Sequence, residues 1–270
     1  MSSLGRRRDS VLGCCDGVVP TDGQARPIPV AGFGIRRLLY DRRMRNRLRW
    51  ILGGIVVALL TAAGLALAYP SVAAAACPGC YGLTRVSEHV YSERGLTAVQ
   101  KDQLIDLAVA ARRRVEVFYG DRESEPRLIA CFTDVCYDRI GGGGEKGVAV
   151  LNRAVMLSPR GLDTVIASHE MAHVELHRRL DGEVPQWFDE GLAVVISDDP
   201  RYLGEHCRVP FEGPLPETLS DWLDAARADQ QVYSKAACRV QRWLDANGGR
   251  DAVLTLIQQI RNEAAFPVIR

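Results

Sequence analysis

No segment of this sequence repeats another and no run of heptads crosses it, which excludes solenoids, propellers and coiled coils. A phosphate-binding loop is also missing. The one glycine-rich run, GGGGEKG at 141–147, is followed by no G-K-[ST] and opens no helix, so it reads as a flexible loop beside a cleft. Basic charge is scarce beyond the amino-terminal end. Residues 1–49 carry 11 arginines against 4 aspartates, whereas residues 50–270 carry 23 Lys/Arg against 29 Asp/Glu, a net of −6 that excludes nucleic-acid binding by the main domain. Charge of either sign is absent from Trp50 to Tyr69. What is present, 47% apolar and 25% charged residues, is the composition of a globular protein.

The uncharged run WILGGIVVALLTAAGLALAY spans 20 residues, which at about 1.5 Å per helical residue crosses a hydrocarbon core of ~30 Å. Seven arginines between Arg36 and Arg49 precede it, and the next charge beyond it is Arg85. By the positive-inside rule the amino terminus stays cytoplasmic and the rest goes outside. Three regions follow: a basic tail at 1–49, a membrane segment at 50–70, and an external domain at 77–270. Two arrangements fit. Either residues 1–49 are a cytoplasmic tail on a signal anchor, or translation starts at Met44 and the run is the core of a signal peptide cleaved near Ala76. The alanines before Cys77 also distantly resemble a lipoprotein cleavage site, with Ala74 where leucine is usual.

An external location suits the cysteines. Six lie past the apolar run, and sequence proximity pairs Cys77 with Cys80 and Cys131 with Cys136, leaving Cys207 with Cys238. Cys14 and Cys15 fall in the tail as reduced thiols.

The chemistry concentrates between His169 and Glu190, HEMAHVELHRRLDGEVPQWFDE. His169 and His173 are one turn apart on a helix of about 3.6 residues per turn, so both imidazoles can reach one tetrahedral ion. Glu170 lies beside them, placed to take a proton from water that a metal makes acidic, with its pKa brought from about 15.7 to about 7. This is the H-E-x-x-H arrangement, and it calls for a third protein ligand and one open position. Glu190 is that ligand. RRLDG at 178–182 reads as the helix end, and Pro185 opens a second helix over 186–196 that folds back on the first. His177 competes, but eight positions from His169 it has turned roughly 80° and risen about 12 Å, so its role is structural. Asp189 points about 100° from Glu190 and suits a partner that orients a histidine.

HEMAH followed by PQWFDEGLA resembles the gluzincins, the zinc peptidase clan of thermolysin and the zinc aminopeptidases, in which a W-[LF]-x-E-G-[LF]-A segment carries the glutamate ligand. Sixteen residues separate His173 from Glu190, a spacing similar to the small bacterial gluzincin-like domains. VYSKAACRVQRWL at 232–244 is similar to the Y-x-K-G helix of the aminopeptidases, with Ala236 in place of glycine. The resemblance implies an α+β zincin-like domain with a small sheet, the metal helix and a helical C-terminal half. It implies peptide hydrolysis on peptide or protein substrates, a single zinc ion held by His169, His173 and Glu190, Glu170 as general base, and Tyr233 as oxyanion donor. It also implies that the strand run before the metal helix borders the substrate groove. No G-x-M-E-N segment occurs, so the aminopeptidase anchor for a substrate amino terminus is missing. His206 is a second candidate oxyanion donor. The alternative function is an inactive, metal-containing extracytoplasmic binding or sensor module, against which an intact Glu170 argues.

Elsewhere, Thr97 with Gln100 forms a capping box ahead of a helix over 98–119, with Leu104, Leu107, Ala111, Val115 and Phe118 inward and Gly120 as its stop. Residues 127–133 read as a strand and VAVLNRAVMLSP as one extended run. The turn-rich segment after Ile196 lies over the cleft, and three helices, 218–228, 231–246 and 250–263, close the chain.

Overall fold

The computed structural model describes residues 33–180, 182–207 and 213–269. The expectations for residues 1–32 of the tail, the thiols of Cys14 and Cys15 among them, lie outside it. Residues 1–57 and 58–270 form two compact units. Of the first, the structure describes the helical stretch from Phe33, part of α1 (Phe33–Ala68), which begins well before the apolar run in sequence that shows no periodicity. Among the described residues no helix is long and apolar enough to cross a membrane. The membrane expectation falls in part on Leu59, Ala62, Ala63 and Leu65, whose side chains lie outside the described set.

The second unit is mixed α and β, with one five-stranded sheet and mostly helical content. After α2 (Pro70–Ala76) come β1 (Thr84–Ser87), β2 (Val90–Ser92), α3 (Ala98–Tyr119), β3 (Arg127–Ala130), α4 (Asp134–Arg139), β4 (Gly147–Val150) and β5 (Ala154–Leu157). The metal-motif helix α5 (Thr164–Arg179) follows, then α6 (Gln186–Ser197), α7 (Leu219–Ala228), α8 (Gln231–Asn247) and α9 (Arg250–Arg261). Strand order is β1-β2-β3-β5-β4; the central three are parallel, and β1 and β4 are antiparallel edges.

Alternation along the strands builds a core on each face of the sheet. Leu128, Ala130, Val155 and Leu157 face the larger core, with α3, α5, α6, α8 and α9. Ile129, Ala154 and Met156 face the smaller one, with Ala74 and Ala75 of α2 and Tyr137 of α4. Helix α3 has its predicted bounds because both ends are specified. Thr97 and Gln100 make the reciprocal cap, a motif whose hydroxyl contributes about 1 kcal/mol, and Gly120 takes the left-handed conformation that ends the helix. Its buried stripe is Leu104, Ala108, Ala111, Val115 and Tyr119, with Leu107 and Phe118 at the margin.

The run VAVLNRAVMLSP is not one strand. Leu151 and Asn152 both take positive φ, 49° and 52°, the signature of a two-residue turn that matches strand twist, and β4 folds back on β5 as a hairpin. The strand expected over 127–133 stops at Ala130, because Thr133 caps α4 by accepting from the Cys136 amide. Nor is the glycine run free. Glu145 accepts from the Gly143 amide and the Tyr137 hydroxyl, and a Cβ at Gly142 would lie 2.2 Å from the Tyr137 ring. Among the described residues the disulfides are Cys77–Cys80, Cys131–Cys136 and Cys207–Cys238, as proximity predicts.

Two contacts position α5 and α6. Behind α5, the fully buried Glu175 accepts from the amides of Glu123 and Ser124 and from Arg179 Nε at 2.6 Å, fixing the metal-motif helix to the loop after α3. Helix α6 crosses α8 at Gly191, where a Cβ would sit 2.7 Å from the Ala236 carbonyl oxygen. The glycine of E-G-L-A is therefore a steric necessity here.

Candidate metal centre

Helix α5 starts cleanly because Asp163 accepts from the Val165 amide, and it runs unbroken to Arg179. It presents His169 and His173 on one face with Nε2 atoms 3.2 Å apart. The turn through Pro185 returns the chain, and α6 lays Glu190 against them: its Oε2 is 3.4 Å from His169 Nε2 and 3.7 Å from His173 Nε2. Zinc bonds of about 2.0–2.1 Å in a tetrahedral shell place neighbouring donors about 3.3–3.4 Å apart. The triangle of donor atoms has that size. These three residues form a candidate metal cluster with all donor atoms within 4.8 Å of one another. A second cluster, Glu93 with Cys131 and Cys136, has its two sulfurs committed to a disulfide.

Asp189 and His177 are not part of the triangle. Asp189 Oδ1 lies 2.7 Å from His173 Nδ1 and Oδ2 lies 2.7 Å from His177 Nε2, so the carboxylate bridges two imidazoles on successive turns of α5. Donation from Nδ1 to Asp189 leaves His173 Nε2 facing the other two donor atoms. His177, expected on the helix flank, gains a specific partner that the sequence does not reveal.

Glu170 lies on the same face of α5, against the start of β4: a Cβ at Gly147 would meet its Cγ at 2.9 Å. Burial pushes its carboxyl above the usual range, with His169 and His173 opposing. Glu190 behaves oppositely. Burial works against its charge, but His173 and His169 hold the carboxyl below the ordinary value, and Gln186 Nε2 donates to its Oε1 at 3.1 Å. For His173 burial alone would lower the pKa, yet Asp189 and Glu190 raise it to about 10. Asp189, despite burial, is held well below the carboxylate range by His173 and His177. Three carboxylates thus converge on two imidazoles.

Tyr233, on α8, faces this group. Burial and then the Glu190 charge push its phenol up to about 12, so it stays a proton donor at physiological pH. Its ring stacks on Tyr202 at 5.0 Å between centroids and 19° between planes, and Trp222 meets it edge-on at 5.0 Å. Tyr202, which the sequence reading did not single out, also senses Glu190. It comes from the turn after α6, and the Cys207–Cys238 bond ties that segment to α8, the helix that carries Tyr233. The only signal for it is an aromatic residue in a turn-rich stretch just past Glu190. The His206 side chain and residues 208–212 of the expected cover lie outside the described residues.

A depression of about 210 Å³ is bordered by Lys146, Ile166, Asp199 and Arg201. Comparison of the chain with family models, with curated proteins and with solved structures finds no match.

Proposed function

We propose that this chain is a zinc-dependent peptidase of the gluzincin kind, held at a membrane by residues 50–70 or exported after cleavage near Ala76. The observation that carries the reading is the donor triangle of His169, His173 and Glu190, of tetrahedral size, with a buried carboxyl, that of Glu170, beside it and outside the triangle. Two imidazoles, one carboxylate and an open position suit zinc above other divalent ions. Bound there, zinc supplies Lewis acidity to water and to the scissile carbonyl.

The chain's own residues do the rest. Glu170, with its raised pKa, accepts the proton of the attacking water and passes it to the leaving amine. Tyr233 donates to the oxyanion as the carbonyl becomes tetrahedral, and Tyr202 holds its ring in place by stacking. Asp189 fixes His173 in the tautomer that offers Nε2. β4 is the edge strand nearest Glu170, and its outer edge can pair with an extended peptide, bringing a backbone carbonyl to the site.

The test is cleavage of a diverse peptide library by the full-length chain in detergent, with and without a chelator, alongside metal analysis. Chelator-sensitive cleavage and about one zinc per chain are expected. Zinc uptake with no cleavage across the library would replace the peptidase by a metal-containing binding module.

A further inference from the structure

We propose that His177 is a positioning residue for the metal ligand His173, acting through Asp189; this rests on the metal reading above. The geometry is a chain of two hydrogen bonds. His173 Nδ1 meets Asp189 Oδ1 at 2.7 Å, and Asp189 Oδ2 meets His177 Nε2 at 2.7 Å. Asp189 is only 6% exposed, so neither oxygen has ready access to water. With a single donor the carboxylate would be free to rotate about its terminal torsion, and its second oxygen would be left buried without a partner. His177 removes both faults. It occupies the second oxygen and fixes the carboxylate plane, and with it the direction from which His173 is held.

Sequence and helix geometry make this an arrangement of parts rather than a chance contact. His173 and His177 are four apart on α5, one turn along the same flank, and Asp189 enters from the first turn of α6 between them. The residue that presents a carboxylate to two imidazoles sits next in sequence to Glu190, so one turn of α6 supplies both a metal ligand and the support of another. His177 is itself about one-third exposed, and its contact to Asp189 is through Nε2, which leaves Nδ1 on the outer side of the ring.

Three substitutions in the full-length chain separate positioning from packing. His177→Phe keeps the ring without a donor, His177→Gln places an amide N–H close to the former Nε2, and His177→Asn is too short to do so. The readouts are zinc affinity by competition with a chromophoric chelator, the visible spectrum of the cobalt-substituted protein, and the melting of chelated protein as a control on the fold. Loss of a partner that orients a metal-bound histidine lowers metal affinity by about 10–100-fold. His177→Phe and His177→Asn are expected to show that loss and a shifted cobalt spectrum, with His177→Gln restoring most of both. Wild-type affinity and an unshifted spectrum in His177→Phe would overturn the proposal. So would losses in all three variants that merely track the melting of chelated protein. A wild-type chain that takes up neither zinc nor cobalt would sink the metal reading itself, and this inference with it.

Discussion

On one flank of α5, Glu175 accepts hydrogen bonds from two backbone amides and from Arg179, whose guanidinium is bonded in turn to Asp121. On the opposite flank Glu170, Asp189 and Glu190 surround His169 and His173. Both groups are buried, and both contain carboxylates that lose hydration on folding. They are finished differently. The rear group closes on the chain's own donors and a permanent cation, so nothing further is required of it. The front group has an excess of acceptors, and its three nearest donor atoms point at one another across about 3.2–3.7 Å. Saturation marks the rear flank of the helix, and incompleteness marks the flank proposed to hold the metal.

Substitutions that interchange these characters test the contrast. Glu170→Gln should lower turnover by ~10²–10⁴-fold while zinc stays near one per chain and the melting temperature holds or rises, because a desolvated carboxyl is replaced by a neutral isostere. Metal analysis and a peptidase assay on the same preparation decide it, and full turnover would remove Glu170 from its role. Glu190→Gln should cost zinc affinity as well as turnover, so the two neighbouring glutamates fail differently.

Glu175→Ala is the counterpart at the rear. Removing one partner of a buried, hydrogen-bonded pair costs about 3–5 kcal/mol, so chemical denaturation should show a large loss of stability while the folded fraction keeps its turnover per zinc. A variant as stable as wild type would show that Arg179 finds other partners. Tyr233→Phe comes next, with a rate loss of roughly 10²–10³-fold and zinc unchanged.

The smallest effect is one of pH. His173 is raised to about 10 by Asp189 and Glu190, from about 6.5 in the unfolded chain. That interaction stabilises chelated protein fully below about 6.5 and is lost as pH rises through about 10. Zinc must displace the same proton, so its affinity should climb with pH from about 7 to 9, with close to one proton released per ion. Calorimetry in buffers of different ionisation enthalpy would measure it. Zinc uptake at pH 7 with no proton release would contradict the assignment of His173.

The sequence is legible where specification is local. Thr97, Gln100 and Gly120 sit within the helix they bound, and the step from His173 to Glu190 is a single helix–turn–helix, so the donor triangle follows from spacing. The hairpin at Leu151–Asn152 is missed because leucine rarely takes positive φ and carries no turn signal. β1 and β2 are short, and they become strands only through pairing, β2 with β3 and β1 with β2. The partners of Glu175 lie about fifty residues upstream, and nothing in α5 names them. Tyr202 is illegible for a similar reason, since its place depends on how the chain after α6 returns to α8.

The Cys207–Cys238 bond gives that return a history. All three donor residues of the metal group belong to α5 and α6 and need no disulfide, whereas the tyrosine pair spans a loop and a helix that this bond joins. In a reducing compartment a newly made chain would assemble its metal triangle but leave Tyr202 and Tyr233 unfastened. Under the proposed peptidase function, competence to cut would then mature only once that bond forms, and the compartment in which the chain is made would be spared its activity.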